Sequence, residues 1–351
     1  DIIFFWVVRM LLFGYEFTWM TPFKTIYLHG LVRDKFGKKM SKSVWNWVDP
    51  IDMINAYWTD ALRMTLSIWN TPGNDLKFDE ENVEQNKIFI NKLWNATRFV
   101  YTNLFEKWDY KILDYKTLED KIIANYDNLL THEKWILSKL KNISDATNKA
   151  LENYNFSETW MDLQSFTRND FCDYYIEEFK ITKEKSVFGE DVIMYVINNL
   201  LKLWHPYIPF VTEELWNKIG FEWKLINAPI SKVAVSASKE IEKNKDIVIE
   251  LIKEVRNIRA VNQIMPNKSI KLMIKPKKAL RDIFSEDTLF ILSGILNSEE
   301  TTVIDKKLDN DSLVYWVTKA WVEFYVDSSN AMDMEAEIER LKLQITDARE
   351  Y

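Results

Sequence analysis

Cysteine and histidine are scarce in this chain of 351 residues, and their scarcity excludes two classes of structure. One cysteine and three histidines cannot supply a four-ligand zinc site of the cysteine type, and a single thiol cannot form an intrachain disulfide. A reducing cytoplasmic location therefore fits the composition. We predict no zinc held by the protein itself, and we expect any metal to arrive with a substrate.

The sequence also lacks a long hydrophobic run. Its most apolar stretch, residues 1–12, is too short to span a bilayer, is interrupted by Arg9 and has no signal-peptide layout. We interpret it as a buried helix, and we predict no membrane partner. Because no helix-start signal precedes it, we expect the chain to begin inside a domain.

Positive charge is in deficit as well. The formal net charge is −7 and the isoelectric point is near 5.3, which excludes a protein that coats nucleic acid through bulk positive charge. Any contact with RNA must therefore be local. The 47% hydrophobic and 28% charged content is typical of globular proteins, and the length predicts two or three domains.

A compact cluster of cationic and hydroxyl side chains lies at residues 39–43, with the sequence KMSKS. Two ammonium groups and two hydroxyls in one short polar loop suit a charged leaving group such as a phosphate; the plain alternative is a solvated lysine loop. The strand-like residues 24–28 lead through His29 and Gly30 toward this loop. After it, Asp49 and Pro50 predict the start of a helix.

Helical periodicity dominates residues 81–222 and predicts a helix bundle. Two apolar stripes at helical spacing carry this prediction: Ile136, Leu140, Ile143 and Ala150, and Ile193, Val196, Leu200 and Leu203 before Pro206. A further helix near residues 247–261 carries Lys253, Arg256 and Arg259 at three-residue steps, a stripe that could bind phosphates or could simply be a solvated face. Strand patterns follow Pro266 at residues 270–274, 302–304 and 322–326, and they predict a small mixed domain. From residue 334 the apolar positions alternate in steps of four and three, which is typical of a coiled coil.

With these features in place, the chain resembles the class I aminoacyl-tRNA synthetases, and among them the valyl type. Isoleucyl enzymes share the lysine loop but usually end in a cysteine-rich zinc module, so the single cysteine favours the valyl type. The phrases that carry the resemblance are DIIFFWVVRM at residues 1–10, YLHGLVRD at 27–34, PGND at 72–75, KLWNA at 92–96 and HPYIPF at 205–210.

The resemblance implies a multidomain fold. We expect the C-terminal part of a Rossmann-like α/β catalytic domain at residues 1–80, then an all-α anticodon-binding helix bundle at 81–265. A small α+β junction at 266–330 and the start of a coiled coil at 331–351 follow. The first half of the catalytic domain and an editing domain are expected upstream, so we predict that this polypeptide alone does not activate valine.

The resemblance also implies an activity: ATP-dependent activation of valine and transfer of the valyl group to tRNA(Val), by an enzyme that is a monomer. ATP with Mg²⁺ would be the substrate complex. The alternatives are a non-catalytic tRNA-binding helical module, an isoleucyl enzyme and a purely structural scaffold.

Individual residues inherit roles from this resemblance. Lys42 and Lys39 would be catalytic, Ser41 and Ser43 would shape the ATP-binding loop, and His29 with Gly30 would pass the adenine. Trp6 would lie beside the valine side chain. The charged stripe of the helix near residues 247–261, and not a family motif, is the candidate for tRNA contact, through Lys253, Arg256 and Arg259.

Tryptophan stands at several positions where the family has glycine. The chain has fifteen tryptophans and seven glycines, which inverts normal usage. We hypothesise that many of these tryptophans are UGA codons that the source organism reads as glycine, and we expect Trp6, Trp94, Trp135 and Trp216, which match family aromatic positions, to be genuine. The suspected positions are Trp19, Trp45, Trp47, Trp58 and Trp69.

Overall fold

The computed structural model describes residues 3–68, 72–107, 110–310 and 313–327. The chain divides into two compact units: Asp1–Ile90 with Lys149–Trp160, and Asn91–Asn148 with Met161–Tyr351. The predicted coiled coil lies outside the described residues. No helix within the described ranges is long and apolar enough to cross a membrane.

Twelve α-helices occur among the described residues. Three π-helical segments adjoin them, at Ile3–Val7, Thr102–Lys107 and Phe166–Tyr175. Short 3₁₀ turns lie at Lys42–Val44, Tyr126–Asn128, Leu225–Asn227 and Lys278–Ile283. The helices are α1 (Val8–Thr18), α2 (Pro50–Tyr57), α3 (Thr59–Ile68), α4 (Glu80–Tyr101), α5 (Tyr115–Ala124), α6 (Thr131–Glu152), α7 (Trp160–Ser165), α8 (Ile176–Thr182), α9 (Gly189–Trp204), α10 (Pro209–Ile219), α11 (Lys239–Val261) and α12 (Glu286–Leu296).

The first unit contains the lysine loop between two very short strands. Strand β1 (Val32–Arg33) pairs in parallel with β2 (Leu76–Lys77). The prediction of a strand at residues 24–28 is wrong. These residues form no ladder of hydrogen bonds with the described residues, and strand pairing begins at β1. The predicted start of α2 is confirmed, since the Asp49 side chain accepts a hydrogen bond from the Ile51 amide at 2.9 Å and Pro50 is the first helical residue.

The predicted helix at the beginning of the chain is present but is not buried. No residue of Ile3–Val7 or of α1 is buried, and Phe4, Trp6 and Phe17 are all exposed. The sequence correctly indicates a helix with an apolar surface. Burial also requires a partner surface, and the described residues of this unit do not supply one.

In the second unit, helix α9 lies at the centre of the core. Fourteen of its sixteen residues are buried, and the predicted apolar stripe Ile193, Val196, Leu200 and Leu203 is confirmed, since each is at most 2% exposed. The same holds for Ile136 and Leu140 on α6. Helix α9 ends two residues before Pro206, as the missing amide of proline requires.

Four strands lie after α11: β3 (Ile270–Lys275), β4 (Ser298–Val303), β5 (Val314–Val317) and β6 (Glu323–Asp327). They form one sheet in the order β4-β3-β6-β5. Strand β3 is parallel to β4 and antiparallel to β6, and β5 pairs antiparallel with β6. The sequence predicts three of these strands approximately. It misses β5, which has only four residues, none of them buried.

Candidate functional site

The lysine loop begins in a tight turn that Asp34 and Gly37 build. The amide of Gly37 donates to the Asp34 carbonyl at 2.8 Å, and Gly37 has a φ of +82°. The Asp34 carboxylate accepts hydrogen bonds from the amides of Phe36 (3.0 Å) and Lys38 (2.8 Å). The chain then turns back, and the backbone of Lys39 forms an isolated antiparallel β-bridge with Arg33 of β1.

Asn46 connects both ends of this loop. Its Nδ2 donates to Asp34 Oδ2 at 2.9 Å and to the Lys39 carbonyl at 3.2 Å, while its Oδ1 accepts from the Ser41 amide at 3.0 Å. The hydrogen bond from Asn46 is also the largest cause that lowers the pKa of Asp34 below its ordinary value. Sequence reasoning missed this role, although an aspartate five residues before the motif and an asparagine three residues after it are a detectable pattern.

The loop exposes the cationic groups that the sequence predicts. Lys39 and Lys42 are both exposed, Lys42 opens a 3₁₀ turn, and its Nζ lies 5.5 Å from the ring centroid of Trp47. The hydroxyls of Ser41 and Ser43 lie 3.1 Å apart. The structure therefore brings both lysines and both serines of the motif together in one ordered turn.

Gly30 is required by a close approach of protein backbone. A Cβ built on Gly30 would lie 1.8 Å from the carbonyl oxygen of Asn74, so no other residue fits. The missing side chain at Gly30 therefore serves the packing against Asn74, and the role of His29 and Gly30 beside the adenine stays a prediction. The neighbouring His29 is exposed, and its Nδ1 lies 2.8 Å from the Gly30 carbonyl.

Asp75 fixes the turn around Gly30 to strand β1. Its carboxylate accepts from the Leu31 amide at 2.9 Å and pairs with Arg33 Nε. The bond from Leu31 and then the one from Arg33 lower the pKa of Asp75, so the carboxylate is ionised at neutral pH. The PGND phrase marked this place in the sequence but did not indicate its structural task.

Trp6, which the sequence places beside a substrate side chain, is exposed on its helix. It is 57% exposed, and the Arg9 guanidinium carbon lies 5.7 Å from its ring centroid.

The second unit contains an acidic and basic cavity of about 600 Å³. Lys253 and Arg256 of α11 line it and are exposed, as the predicted stripe requires. Lys139, Asp170, Asp173 and Asp246 line it as well. Cations beside carboxylates suit a ligand with donors and acceptors, such as a nucleobase next to a phosphate.

Arg259, the third residue of the predicted stripe, does not lie on the surface. It is 7% exposed, and its guanidinium donates to the carbonyls of Leu296 (3.0 Å), Met265 (2.7 Å) and Lys268 (2.6 Å). The prediction that Arg259 contacts tRNA is therefore wrong. A step of three residues from Arg256 carries Arg259 to the buried edge of α11, where it joins the helix to the segment before β3.

A smaller cavity of about 300 Å³ lies between α4 and α10 and combines aromatic with cationic side chains. Trp94, Arg98 and Tyr101 come from α4, and Leu215 and Lys218 from α10. The hydroxyl of Thr97, also in this cavity, is buried without a hydrogen-bond partner. Aromatic surfaces beside Arg and Lys are typical of sites that stack unpaired bases, and sequence reasoning used only the KLWNA phrase here.

Asp170 provides a pH prediction for the larger cavity. Burial raises its pKa to about 6, Lys139 at 3.8 Å opposes the shift, and Asp246 and Glu242 add to it. The folded state therefore binds a proton between about pH 4 and pH 6 that the unfolded state does not, and stability falls as pH rises through 6. Asp170→Asn should raise the free energy of unfolding at pH 8 by roughly 1 to 3 kcal/mol and much less at pH 4.

Urea unfolding of the two proteins at both pH values measures this difference. Asp173→Asn, on the rim of the same cavity and half exposed, is the matched control and should change stability little. An equal gain from Asp170→Asn at pH 4 and pH 8 would contradict the prediction.

Among the described residues, no group of three or more His, Cys, Asp and Glu side chains is arranged to hold a metal ion. The donor set near the lysine loop consists of lysine ammonium and serine hydroxyl groups, which suit the phosphates of a metal–nucleotide complex better than a bare cation.

Comparison with known families and proteins agrees with this geometry. The chain matches the tRNA synthetases class I (I, L, M and V) over residues 1–79 and the anticodon-binding domain of tRNA ligase over residues 133–274. It is 36% identical to the valine–tRNA ligase of Thermotoga maritima, with 97% of this chain and 38% of that protein covered. It is 38% identical to the enzyme of Listeria innocua, with 98% and 38% covered.

Solved structures give the same fold. The chain is similar to the agnB2 LeuRS of Agrobacterium radiobacter K84, solved as a ternary complex with tRNA and LeuAMS. The TM-score is 0.50 at 15% identity, with 76% of this chain and 28% of that chain covered. The chain spans about 38% of the length of the valine–tRNA ligases it matches. It belongs to the class I aminoacyl-tRNA synthetases and, within that class, to the family of the valine–tRNA ligases.

Proposed function

We propose that this chain is the part of a valine–tRNA ligase that carries the lysine loop and binds the tRNA anticodon region. The observation that carries the proposal is the ordered turn at residues 39–43, which Asn46 closes and which exposes both lysines in a chain homologous to valine–tRNA ligases. The enzyme would consume ATP as its Mg²⁺ complex, together with valine and tRNA(Val). A monomer in the cytoplasm fits that role.

Activation is the step that needs the lysine loop. A carboxylate oxygen of valine attacks the α-phosphorus of ATP, the bond from that phosphorus to the bridging oxygen breaks, and pyrophosphate leaves. Negative charge accumulates on the departing oxygens. An ammonium group that is held next to them binds the transition state better than the ground state.

Each loop residue has a part in that step. We assign the main electrostatic contact to Lys42, with Lys39 assisting, because both are exposed on the same turn. Ser41 and Ser43 keep the turn compact through their paired hydroxyls. Asn46 is a positioning residue, since its amide joins the beginning of the loop to its end. The adenylate then loses AMP when a hydroxyl of the tRNA 3′ end attacks its carbonyl carbon.

Two other assignments follow from the family alone. His29 and the backbone at Gly30 would border the adenine, although the side of Gly30 that faces Asn74 is already filled. Trp6 would form a wall of the valine pocket.

We assign tRNA binding to the second unit, at the aromatic cavity between α4 and α10 and at Lys253 with Arg256 on α11. The aromatic cavity offers stacking surfaces, and both sites offer cations to the phosphate backbone. Stacking on an aromatic side chain contributes about 1 to 3 kcal/mol per base. Local sites of this kind reconcile RNA binding with a net charge of −7.

Substitution in the aromatic cavity tests the RNA assignment. Arg98→Ala combined with Lys218→Ala should raise the dissociation constant for tRNA(Val) about tenfold or more, because a stacked base and a phosphate would lose their cationic partners. Filter binding over a salt series measures it. Lys224 is exposed on the same unit, and Lys224→Ala is the matched control. An equal loss of affinity in both proteins would show that only general attraction to phosphate is being measured.

The exchange reaction separates the main proposal from its alternatives. ATP–pyrophosphate exchange by the complete gene product should depend on valine and not on isoleucine. The 351-residue polypeptide by itself should show none. A product that binds tRNA(Val) but never exchanges pyrophosphate would instead support the non-catalytic module.

A further inference from the structure

Tryptophan is strongly over-represented among residues with a left-handed backbone. Eight non-glycine residues of the described chain have positive φ, and five of these are tryptophan, although tryptophan supplies only fifteen of the 351 residues. Positive φ is uncommon outside glycine, asparagine and aspartate, and it is a genuine outlier for a bulky side chain. The five are Trp19 (φ 57°), Trp45 (57°), Trp58 (74°), Trp223 (64°) and Trp321 (61°).

Two of the five end helical turns in the place where glycine is normally found. Trp19 caps α1 in the left-handed conformation, and its amide donates to the Tyr15 carbonyl at 2.8 Å. Trp45 caps the 3₁₀ turn of the lysine loop in the same way, with its amide 3.3 Å from the Lys42 carbonyl. Glycine is the usual residue at such a position because it has no Cβ to clash with the neighbouring carbonyl.

Trp321 lies in a hairpin turn whose geometry also selects glycine. Its amide donates to the Thr318 carbonyl at 2.9 Å, and the Thr318 amide donates to the Val322 carbonyl at 3.0 Å. These two bonds define a three-residue hairpin loop between β5 and β6, in which a type I turn is followed by a left-handed bulge residue. That bulge residue is typically glycine.

Trp58 has the most restrictive backbone of the set. It lies between α2 and α3 with φ 74° and ψ 152°. That region of backbone space is close to the one that only glycine populates readily, and a side chain held there costs free energy.

Exposure divides the tryptophans in the same way. The five with positive φ are all exposed, from 46% for Trp58 to 89% for Trp45. Trp135, Trp204 and Trp216 are at most 3% exposed and have no positive φ, and the Nε1 of Trp204 donates to Thr167 Oγ1 at 2.9 Å. The first group has exposed indole rings on a backbone conformation that favours glycine. The second group has indole rings that pack in the core.

We propose that the polypeptide made in the source cell carries glycine at positions 19, 45, 58, 223 and 321, because their codons are UGA and are decoded there as glycine. Positions 223 and 321 are new relative to what the sequence indicates. Trp47 has no positive φ, so the backbone adds nothing to the hypothesis at that position, and Trp69 lies outside the described residues. The proposal concerns decoding and does not depend on the function proposed above.

Codons and native peptide masses test the proposal directly. The gene should contain UGA at the five positions and UGG at 135, 204 and 216, and peptides from the native protein should have the mass of glycine at the five. A UGG codon at any of the five would overturn the proposal. So would UGA codons whose native peptides retain the mass of an indole side chain.

Stability of the recombinant protein tests the physical argument separately. The variant with glycine at all five positions should have a higher midpoint of thermal unfolding than the chain with tryptophan, since backbone strain and exposed indole are both removed. Trp204→Gly is the matched control and should lower the midpoint. A midpoint of the five-glycine variant equal to or below that of the parent would contradict the inference.

Discussion

Lys42→Ala should lower the rate of valyl-adenylate formation by about 10²- to 10³-fold, which corresponds to roughly 3 to 4 kcal/mol of barrier. Lys42 is exposed on an ordered turn, and its Nζ lies 5.5 Å from the ring centroid of Trp47. It would therefore act on charge that develops in the leaving pyrophosphate. Because the contact is stronger in the transition state than in the ground state, kcat should fall much more than the KM for ATP changes.

The measurement is pre-steady-state or exchange kinetics on the complete gene product. Lys35→Ala is the matched control, since Lys35 is an exposed lysine in the preceding turn, outside the motif. Its loss should leave the rate within about twofold, as expected for an exposed charge that the solvent screens. If Lys42→Ala and Lys35→Ala lowered the rate equally, the catalytic assignment would fail.

Lys245→Ala should destabilise the second unit by roughly 3 to 5 kcal/mol. Lys245 Nζ of α11 pairs with Glu178 Oε1 of α8, and the two side chains are 5% and 0% exposed. The Nζ also lies 5.0 Å from the ring centroid of Trp135. Without the ammonium group, the Glu178 carboxylate is left buried and uncompensated.

The loss of stability that Lys245→Ala causes should grow with pH. Burial raises the pKa of Glu178, and Lys245 opposes that shift, so the pKa rises further in the variant. The folded variant then holds a proton that the unfolded chain releases, and its stability falls as pH increases above the ordinary carboxyl range. His132 acts in the same direction, since burial and then Lys245 lower its pKa, and loss of the lysine makes its protonation at low pH less costly.

Urea unfolding at pH 5 and pH 8 checks both statements. Lys243→Ala, an exposed lysine on the same helix, should change stability by no more than about 0.5 kcal/mol. A pH-independent deficit for Lys245→Ala would show that lost packing, and not the orphaned carboxylate, dominates.

Features that depend on local chemistry were predictable from the sequence. The Asp49 cap, the buried stripe of α9 and the strands at β3 and β6 all follow from patterns within a few residues. The lysine loop is of the same kind, since its lysines and hydroxyls are contiguous. Short-range periodicity and capping are sufficient for such features.

Features that depend on distant partners were not predictable from the sequence. Whether Arg259 lies on the surface depends on the carbonyl of Leu296, 37 residues away, and the requirement for glycine at position 30 depends on Asn74. The helix at the beginning of the chain has an apolar sequence, but its burial depends on a surface elsewhere. Asn46 was adjacent to the motif, yet its three hydrogen bonds exist only once the turn has closed.

The contact between Gly30 and Asn74 also determines which parts of the site can move. Backbone packed so closely, together with the bonds of Asp75 to Leu31 and Arg33, makes the Gly30 turn, β1 and β2 one rigid base. We therefore expect any movement of the lysine loop to pivot at Gly37 and position 45, where the backbone already has positive φ, and to break the bonds of Asn46 to Lys39 and Ser41. Glycine at position 45 would give the second pivot the same freedom as the first.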